Sequence, residues 1–142
     1  MSRIQFTYCA AFAALVATGF APLAPTVFAA ANDYRFELAG KPTVKAGVNM
    51  VLVRLVHLPD RKPVSGAVIF QTRADMGPEQ MAAMTAPVKL VPAGSGQPGV
   101  YGFEIQNGPI WNKPGKWALT LAAKVQGEPE TVRETVNVDL NP

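Results

Sequence analysis

From residue 32 onward, short apolar segments alternate with turn-forming residues. Proline and glycine recur about every ten residues, and the segments between them show the two-residue alternation of half-buried strands. Segment 131–140 shows it most clearly, with inward-facing valine and leucine at 132, 136, 138 and 140. Segment 48–57 is apolar on both faces, which is typical of a central strand. We predict strands at 35–38, 48–57, 66–73, 87–91, 100–106, 116–125 and 131–140.

Seven short strands at nearly regular spacing predict an all-β fold, an antiparallel immunoglobulin-like β-sandwich. A small β-barrel is the structural alternative. Helical βαβ units are excluded because no long segment has the helical period. Between the two sheets we expect Trp117 and Tyr101 to fill the core, and we place Met50 there as well, since it lies within a continuous apolar strand.

The N-terminus has the pattern of a secretory signal peptide. Arg3 precedes an uncharged apolar run at 6–16, and small residues follow at 29–31. We predict that residues 1–29 are removed, by a cut after Ala29 or Ala31, and that residues 32–142 form a single periplasmic domain. The rival interpretation is a membrane anchor. A spanning helix needs about 20 apolar residues, and Gly19 with two nearby prolines interrupts this run too early.

The composition of the mature chain excludes several functions. Without Arg3, twelve basic and ten acidic residues remain, spread evenly, which favours neither nucleic acid nor an anionic membrane surface as a partner. The single cysteine, Cys9, lies in the signal peptide, so no thiolate serves catalysis or zinc. No second apolar stretch is long enough to span a bilayer. No acid–base pair or nucleophile with a partner base is visible, so we predict a non-enzyme.

Segment 75–87 breaks the strand pattern and holds three of the five methionines, Met76, Met81 and Met84. Pro78 suits the first turn of a helix. We therefore predict a short helical turn near 78–84, which would place Met81 and Met84 on one face, with Met76 folded back over them. Thioether sulfur is a soft ligand that selects Cu(I). The alternative is that these methionines only fill the core, because methionine is a flexible gap-filler.

Two further side chains are candidate ligands of a copper ion. His57, the only histidine, ends the second strand and offers an imidazole, while Asp75 offers a carboxylate to Cu(II). Each also has a structural interpretation. His57 is then an ordinary residue at a strand end, and Asp75 caps the short helix through a local hydrogen bond to the backbone.

Four motifs resemble those of a known family. They are Pro-Val-Ser-Gly-Ala-Val at 63–68, Asp-Met at 75–76 with Met81 and Met84, Pro-Gly-Val-Tyr at 98–101, and Gly-Lys-Trp at 115–117. Their order and spacing over residues 36–140 resemble the YtkA-like/FixH-like family of exported bacterial proteins. The resemblance implies a periplasmic immunoglobulin-like sandwich linked to heavy-metal efflux or to assembly of copper-containing cytochrome oxidase. It also implies that Met76, Met81 and Met84 are the metal-associated residues.

The chain differs from membrane-anchored FixH proteins because its apolar N-terminal segment is cleavable, which favours the efflux association. Two functions follow as expectations. The first is a periplasmic protein that binds or delivers copper through the methionines, with a metal-efflux or oxidase-assembly membrane complex as its partner. The second is a metal-free interaction module of such a transport or oxidase complex, since exposed strand edges can pair with a partner strand.

Overall fold

The computed structural model describes residues 30–106 and 114–140. The predicted signal peptide, residues 1–29, lies outside the described residues, and so does the Asn-Gly pair at 107–108, whose composition predicts a turn. Within this part of the chain the strands are β1 (Tyr34–Leu38), β2 (Thr43–Lys45), β3 (Val48–His57), β4 (Lys62–Pro63), β5 (Val68–Met76), β6 (Met81–Ala86), β7 (Val88–Val91), β8 (Val100–Gln106), β9 (Gly115–Lys124) and β10 (Thr131–Leu140).

The strands form two antiparallel sheets. The first sheet has the order β1-β3-β8-β7, with β2 and β4 also paired to β3, and the second has the order β10-β9-β5-β6. Across the two sheets, β1 packs against β10 and β5 packs against β7. The predicted all-β sandwich is therefore confirmed. Each of the seven predicted strands is present, and three further strands, β2, β4 and β6, were not predicted.

The core lies between the sheets and follows the predicted alternation. On β9, Trp117, Leu119 and Leu121 face inward and are at most 1% exposed. The inward valines and leucine of β10 are buried as predicted, and the polar residues between them lie outside. Tyr101 is partly buried against this core, and its hydroxyl donates a hydrogen bond to the Val64 carbonyl at 3.0 Å. Both sheets thus contribute one apolar face to a single core.

One expectation about an individual residue was wrong. Met50 is only half-buried, because β3 directs its alternate residues Val51 and Val53 into the core and Met50 to the outer face. In β5 the alternation changes phase at a bulge, since Ile69 pairs with Ala123 and Gln71 with Ala122. The extra residue is Phe70, which is 55% exposed.

Helices are limited to single turns in the described ranges. Two 3₁₀ turns occur, at Ala31–Asp33 and Gly77–Glu79. No helix among these residues has the length and the apolar character that crossing a membrane requires. The second turn leads from β5 into β6 and carries the predicted methionine segment.

Candidate functional site

The methionine segment forms a hairpin between β5 and β6, with its 3₁₀ turn at Gly77–Glu79. Pro78 lies in the first turn, as predicted. The turn does not continue to residue 84, because Gln80 has a left-handed backbone (φ 60°) that ends it after three residues. Met81 and Met84 therefore lie on strand β6, and their predicted placement on one helical face was wrong. We call residues 75–86 the methionine hairpin.

Strand pairing nevertheless brings two of the methionines together. Met76 and Met81 are direct cross-strand partners in the register of β5 and β6. The next pair is Asp75 with Thr85. Asp75 and Met76 are adjacent on β5, whereas three residues of β6, including Met84, lie between their partners and make the pairing irregular. Side chains of directly opposed residues have Cβ atoms about 4.5–5.5 Å apart. Met81 and Met84 are both partly buried and both pack against the core.

The hairpin is held against the start of β9. Met76 is 2% exposed, and its Cε lies so close to Gly115 that a Cβ atom there would be only 2.9 Å away. Glu79 accepts a hydrogen bond from the Lys116 amide at 3.3 Å. Met76 is thus a core residue at the base of the hairpin, while Met81 and Met84 retain partial access to solvent.

Asp75 is engaged in structural contacts. One carboxylate oxygen accepts a hydrogen bond from the Gly77 amide at 2.9 Å, which fastens the start of the turn. The other is 2.8 Å from Arg73 Nε, and the same guanidinium donates to the Ala82 carbonyl at 3.0 Å. These contacts agree with the structural interpretation of Asp75, because both oxygens stabilise the hairpin locally.

His57 lies far from the methionine hairpin. His57 is the cross-strand partner of Tyr34. The Tyr34 hydroxyl donates a hydrogen bond of 2.9 Å to Glu128, which lies in the loop between β9 and β10. That loop and the hairpin lie at opposite ends of β9, as the register with β5 shows. Ten strand residues at about 3.3 Å each separate the two ends by roughly 30 Å. The structure therefore does not bring His57 and the methionines into one site.

His57 is surrounded by polar side chains, and its contacts with them stabilise the local structure. Its Nδ1 is 2.8 Å from Asp60 Oδ1, and its ring is 5.0 Å from the ring of Tyr34. The hydrogen bond with His57 lowers the pKa of the Asp60 carboxyl. Burial raises the pKa of Tyr34 to about 12, and the hydrogen bond to Glu128 acts in the same direction. No group of three or more histidine, cysteine or acidic side chains among the described residues is arranged to hold a metal ion.

The interior of the sandwich contains buried polar groups that sequence reasoning missed. Asn49 is 0% exposed, and both its amide atoms lack a hydrogen-bond partner among the described residues. Trp117 lies on β9 two residues from Gly115, and its Nε1 likewise has no partner there. The signal in the sequence was a single amide near the start of segment 48–57, which is rich in valine and leucine. Buried polar groups are normally hydrogen-bonded, so each exception points to a role or a bound water.

Replacing Asn49 with leucine, its branched apolar counterpart, is expected to raise the free energy of unfolding by about 1–2 kcal/mol. The reason is that a buried amide without partners costs its desolvation free energy, which an apolar side chain avoids. Urea unfolding of the two proteins measures the difference. The control is Asn137→Leu on the exposed face of β10, which should change stability by less than about 0.5 kcal/mol. A fall in stability for Asn49→Leu would show that the amide is hydrogen-bonded in solution.

Comparison with known proteins places the chain by its sequence. The model of the YtkA-like family matches residues 28–122, which include the methionine hairpin and most of β9. No curated protein matches the chain, and no solved structure does. The match covers more than half of the chain and includes all four motifs described above. The chain therefore belongs to the YtkA-like family.

Proposed function

We propose that this protein is exported to the periplasm and binds Cu(I) there through Met76, Met81 and Met84. The observation that carries the proposal is the cross-strand pairing of Met76 with Met81, which sets two methionines directly opposite each other, with a third on the same strand as Met81. Uncharged thioether sulfur suits Cu(I) and requires no deprotonation. A mature chain without cysteine, in an oxidising compartment, has no thiolate to offer instead.

The arrangement assigns different roles to the three methionines. Met76 is held in the core against Gly115 and provides a fixed ligand. Met81 and Met84 are partly exposed and provide the route by which the ion enters. His57 is too distant to complete this site, and Asp75 is engaged with Arg73 and the Gly77 amide. The proposed coordination is therefore by thioethers alone, and the bound ion is cargo for delivery to a metal-efflux complex.

A Cu(I) titration of the protein beginning at Ala30, against a competing colorimetric chelator under reducing conditions, tests the proposal. The triple variant Met76→Leu, Met81→Leu, Met84→Leu should lose at least about 100-fold in affinity, because leucine preserves volume but offers no ligand. The affinity of the parent protein should change little between pH 5 and 8, since no ligand loses a proton on binding.

The matched control is Met50→Leu, on the outer face of β3, which should leave the affinity unchanged. If the triple variant fails to fold, the pair Met81→Leu, Met84→Leu, which spares the buried Met76, takes its place. Two results would contradict the proposal. In the first, the parent protein fails to compete with the chelator for Cu(I). In the second, the methionine variants retain the affinity of the parent protein.

The alternative proposal is a metal-free interaction module, and one feature of β5 favours it. Residues 68–73 pair with β9 on one side, whereas β6 covers only the last three residues of β5 among the described pairs. This edge carries Val68, 64% exposed, and Phe70, 55% exposed. A free edge with apolar side chains can accept a partner strand. Co-purification with a membrane transport or oxidase complex that is insensitive to chelators distinguishes this function from copper delivery.

A further inference from the structure

The backbone around Ala30 forms a small closed structure. The Ala30 nitrogen donates to Asp33 Oδ2 at 3.0 Å, and the Asp33 amide donates back to the Ala30 carbonyl at 2.8 Å. These two bonds enclose the 3₁₀ turn Ala31–Asp33 that precedes β1. Ala30 is therefore an integral part of the turn that begins the fold.

The same turn is tied to the opposite sheet. The Ala31 amide donates to Glu130 Oε2 at 3.0 Å, and Glu130 lies in the loop between β9 and β10. One turn further on, the Tyr34 hydroxyl donates to Glu128 in that loop. The start of the first sheet is thus fastened to the β9–β10 loop by side chains that carry negative charge.

We propose that processing cuts the Ala29–Ala30 bond and that the freed α-ammonium group of Ala30 forms an ion pair with Asp33 that locks the N-terminus in place. The inference rests on the export part of the proposed function. In the cut, water adds to the Ala29 carbonyl and the amide bond breaks. Ala29 leaves as a carboxylate, and Ala30 keeps an amine that is protonated at neutral pH, because the pKa of an α-amino group is about 8.

The two candidate cuts have different structural consequences. A cut after Ala29 keeps every hydrogen bond of the turn and adds a positive charge to the donor of the Ala30–Asp33 bond, which strengthens the bond by making it an ion pair. A cut after Ala31 removes Ala30 and Ala31, and with them both bonds of the turn and the bond to Glu130. The fold uses both alanines, so we assign the cut to the Ala29–Ala30 bond.

The ion pair has a definite pH dependence. A nearby carboxylate favours the charged amine and raises its pKa in the folded state. The stabilisation is then fully present below the unfolded pKa of about 8 and is lost as the pH rises through the raised folded value. The charged or titratable side chains on the elements around this amine are Asp33 on its own turn, Glu128, Glu130 and Lys124 from the β9–β10 region, and Tyr34, His57 and Asp60 beyond them.

Three forms of the protein test the pairing without relying on export. They begin at Ala29, Ala30 and Asn32 and are released from a fusion partner that leaves no extra residue. At pH 6 the Ala30 form should melt roughly 3–6 °C above the Asn32 form and roughly 1–3 °C above the Ala29 form. The difference in melting temperature between the Ala30 and Ala29 forms should disappear at pH 10. Asp33→Asn in the Ala30 form should abolish the same difference at pH 6. Equal melting temperatures at pH 6, or a margin that does not change with pH, overturn the ion pair.

The cut itself is tested by the intact mass of the protein recovered from the periplasm of cells that express the full chain. A mass that begins at Ala30 supports the assignment, and a mass that begins at Asn32 overturns it while leaving export intact. An unprocessed chain overturns both the cut and the export. Because the copper titration uses protein made without export, its failure is separate from either result.

Discussion

Replacing Phe103 with alanine should lower the free energy of unfolding by about 3–5 kcal/mol, the range for deleting a fully buried phenylalanine. Phe103 is 0% exposed at the centre of β8 and belongs to the core between the sheets. Its removal loses the transfer free energy of the ring and leaves a cavity that a core built from two paired sheets closes only in part. Urea unfolding followed by circular dichroism measures the loss as a lower midpoint at an unchanged slope.

The matched control is the same substitution at Phe70. This side chain is 55% exposed at the bulge of β5, so Phe70→Ala should cost less than about 0.5 kcal/mol. Comparable losses at the two positions would contradict the structure, because they would place Phe70 in the core and remove the bulge. A change in the unfolding slope of Phe103→Ala would instead show that the variant no longer unfolds in one step.

The contrast between Phe103 and Phe70 shows which parts of the strands the sequence pattern can predict. Strict alternation predicted β8 and β10 at the bounds that the structure has, since each keeps one phase from end to end. In β5 the phase changes at Phe70, where two residues oppose one step of β9. A bulge is defined by the partner strand, and the partner of β5 is distant in sequence, so no local pattern locates it.

The prediction of a helix in the methionine segment was wrong for a related reason. Pro78 correctly indicated a turn, but a helix up to residue 84 was only one way to continue it. The left-handed Gln80 and the pairing of Met76 with Met81 redirect the chain into β6. Propensity over so short a segment is overridden by the hydrogen bonds that an adjacent strand offers. The spacing of the methionines predicted a shared helical face, whereas the pairing of Met76 with Met81 is set by the register of two strands, which that spacing did not predict.

The distance between His57 and the methionine hairpin depends on the order of strands in both sheets, which the sequence does not reveal. In sequence His57 is only 18 residues before Asp75, yet the chain crosses from the first sheet to the second between them. Asn49 was missed for a different reason, because segment 48–57 is rich in valine and leucine on both faces and only the structure shows which face each residue occupies. A candidate site assembled from residue types alone therefore includes a distant histidine and omits a buried amide.

Gly99→Ala is expected to lower the free energy of unfolding by about 2–4 kcal/mol, combining the cost of a left-handed non-glycine residue with that of a steric clash. Gly99 has φ +70° and is buried at the end of the 94–99 loop. A Cβ atom there would lie 2.8 Å from Pro63 Cβ and 2.8 Å from the Val64 nitrogen. The Gly99 carbonyl also accepts a bond from the Leu55 amide at 2.9 Å, so the backbone has little freedom to move away.

Gly96→Ala separates the two costs, because Gly96 has a similar φ of +60° but open space where the Cβ would be. Its substitution should cost only about 1 kcal/mol, the penalty for the left-handed backbone alone. The sequence presents both glycines as equivalent members of one loop, and only the approach of β4 to Gly99 distinguishes them. Thermal and urea unfolding of the two variants should therefore differ by about 2 kcal/mol. Equal losses would mean that Pro63 and Val64 move aside, and that this end of the sandwich is less tightly packed than the contacts of Gly99 imply.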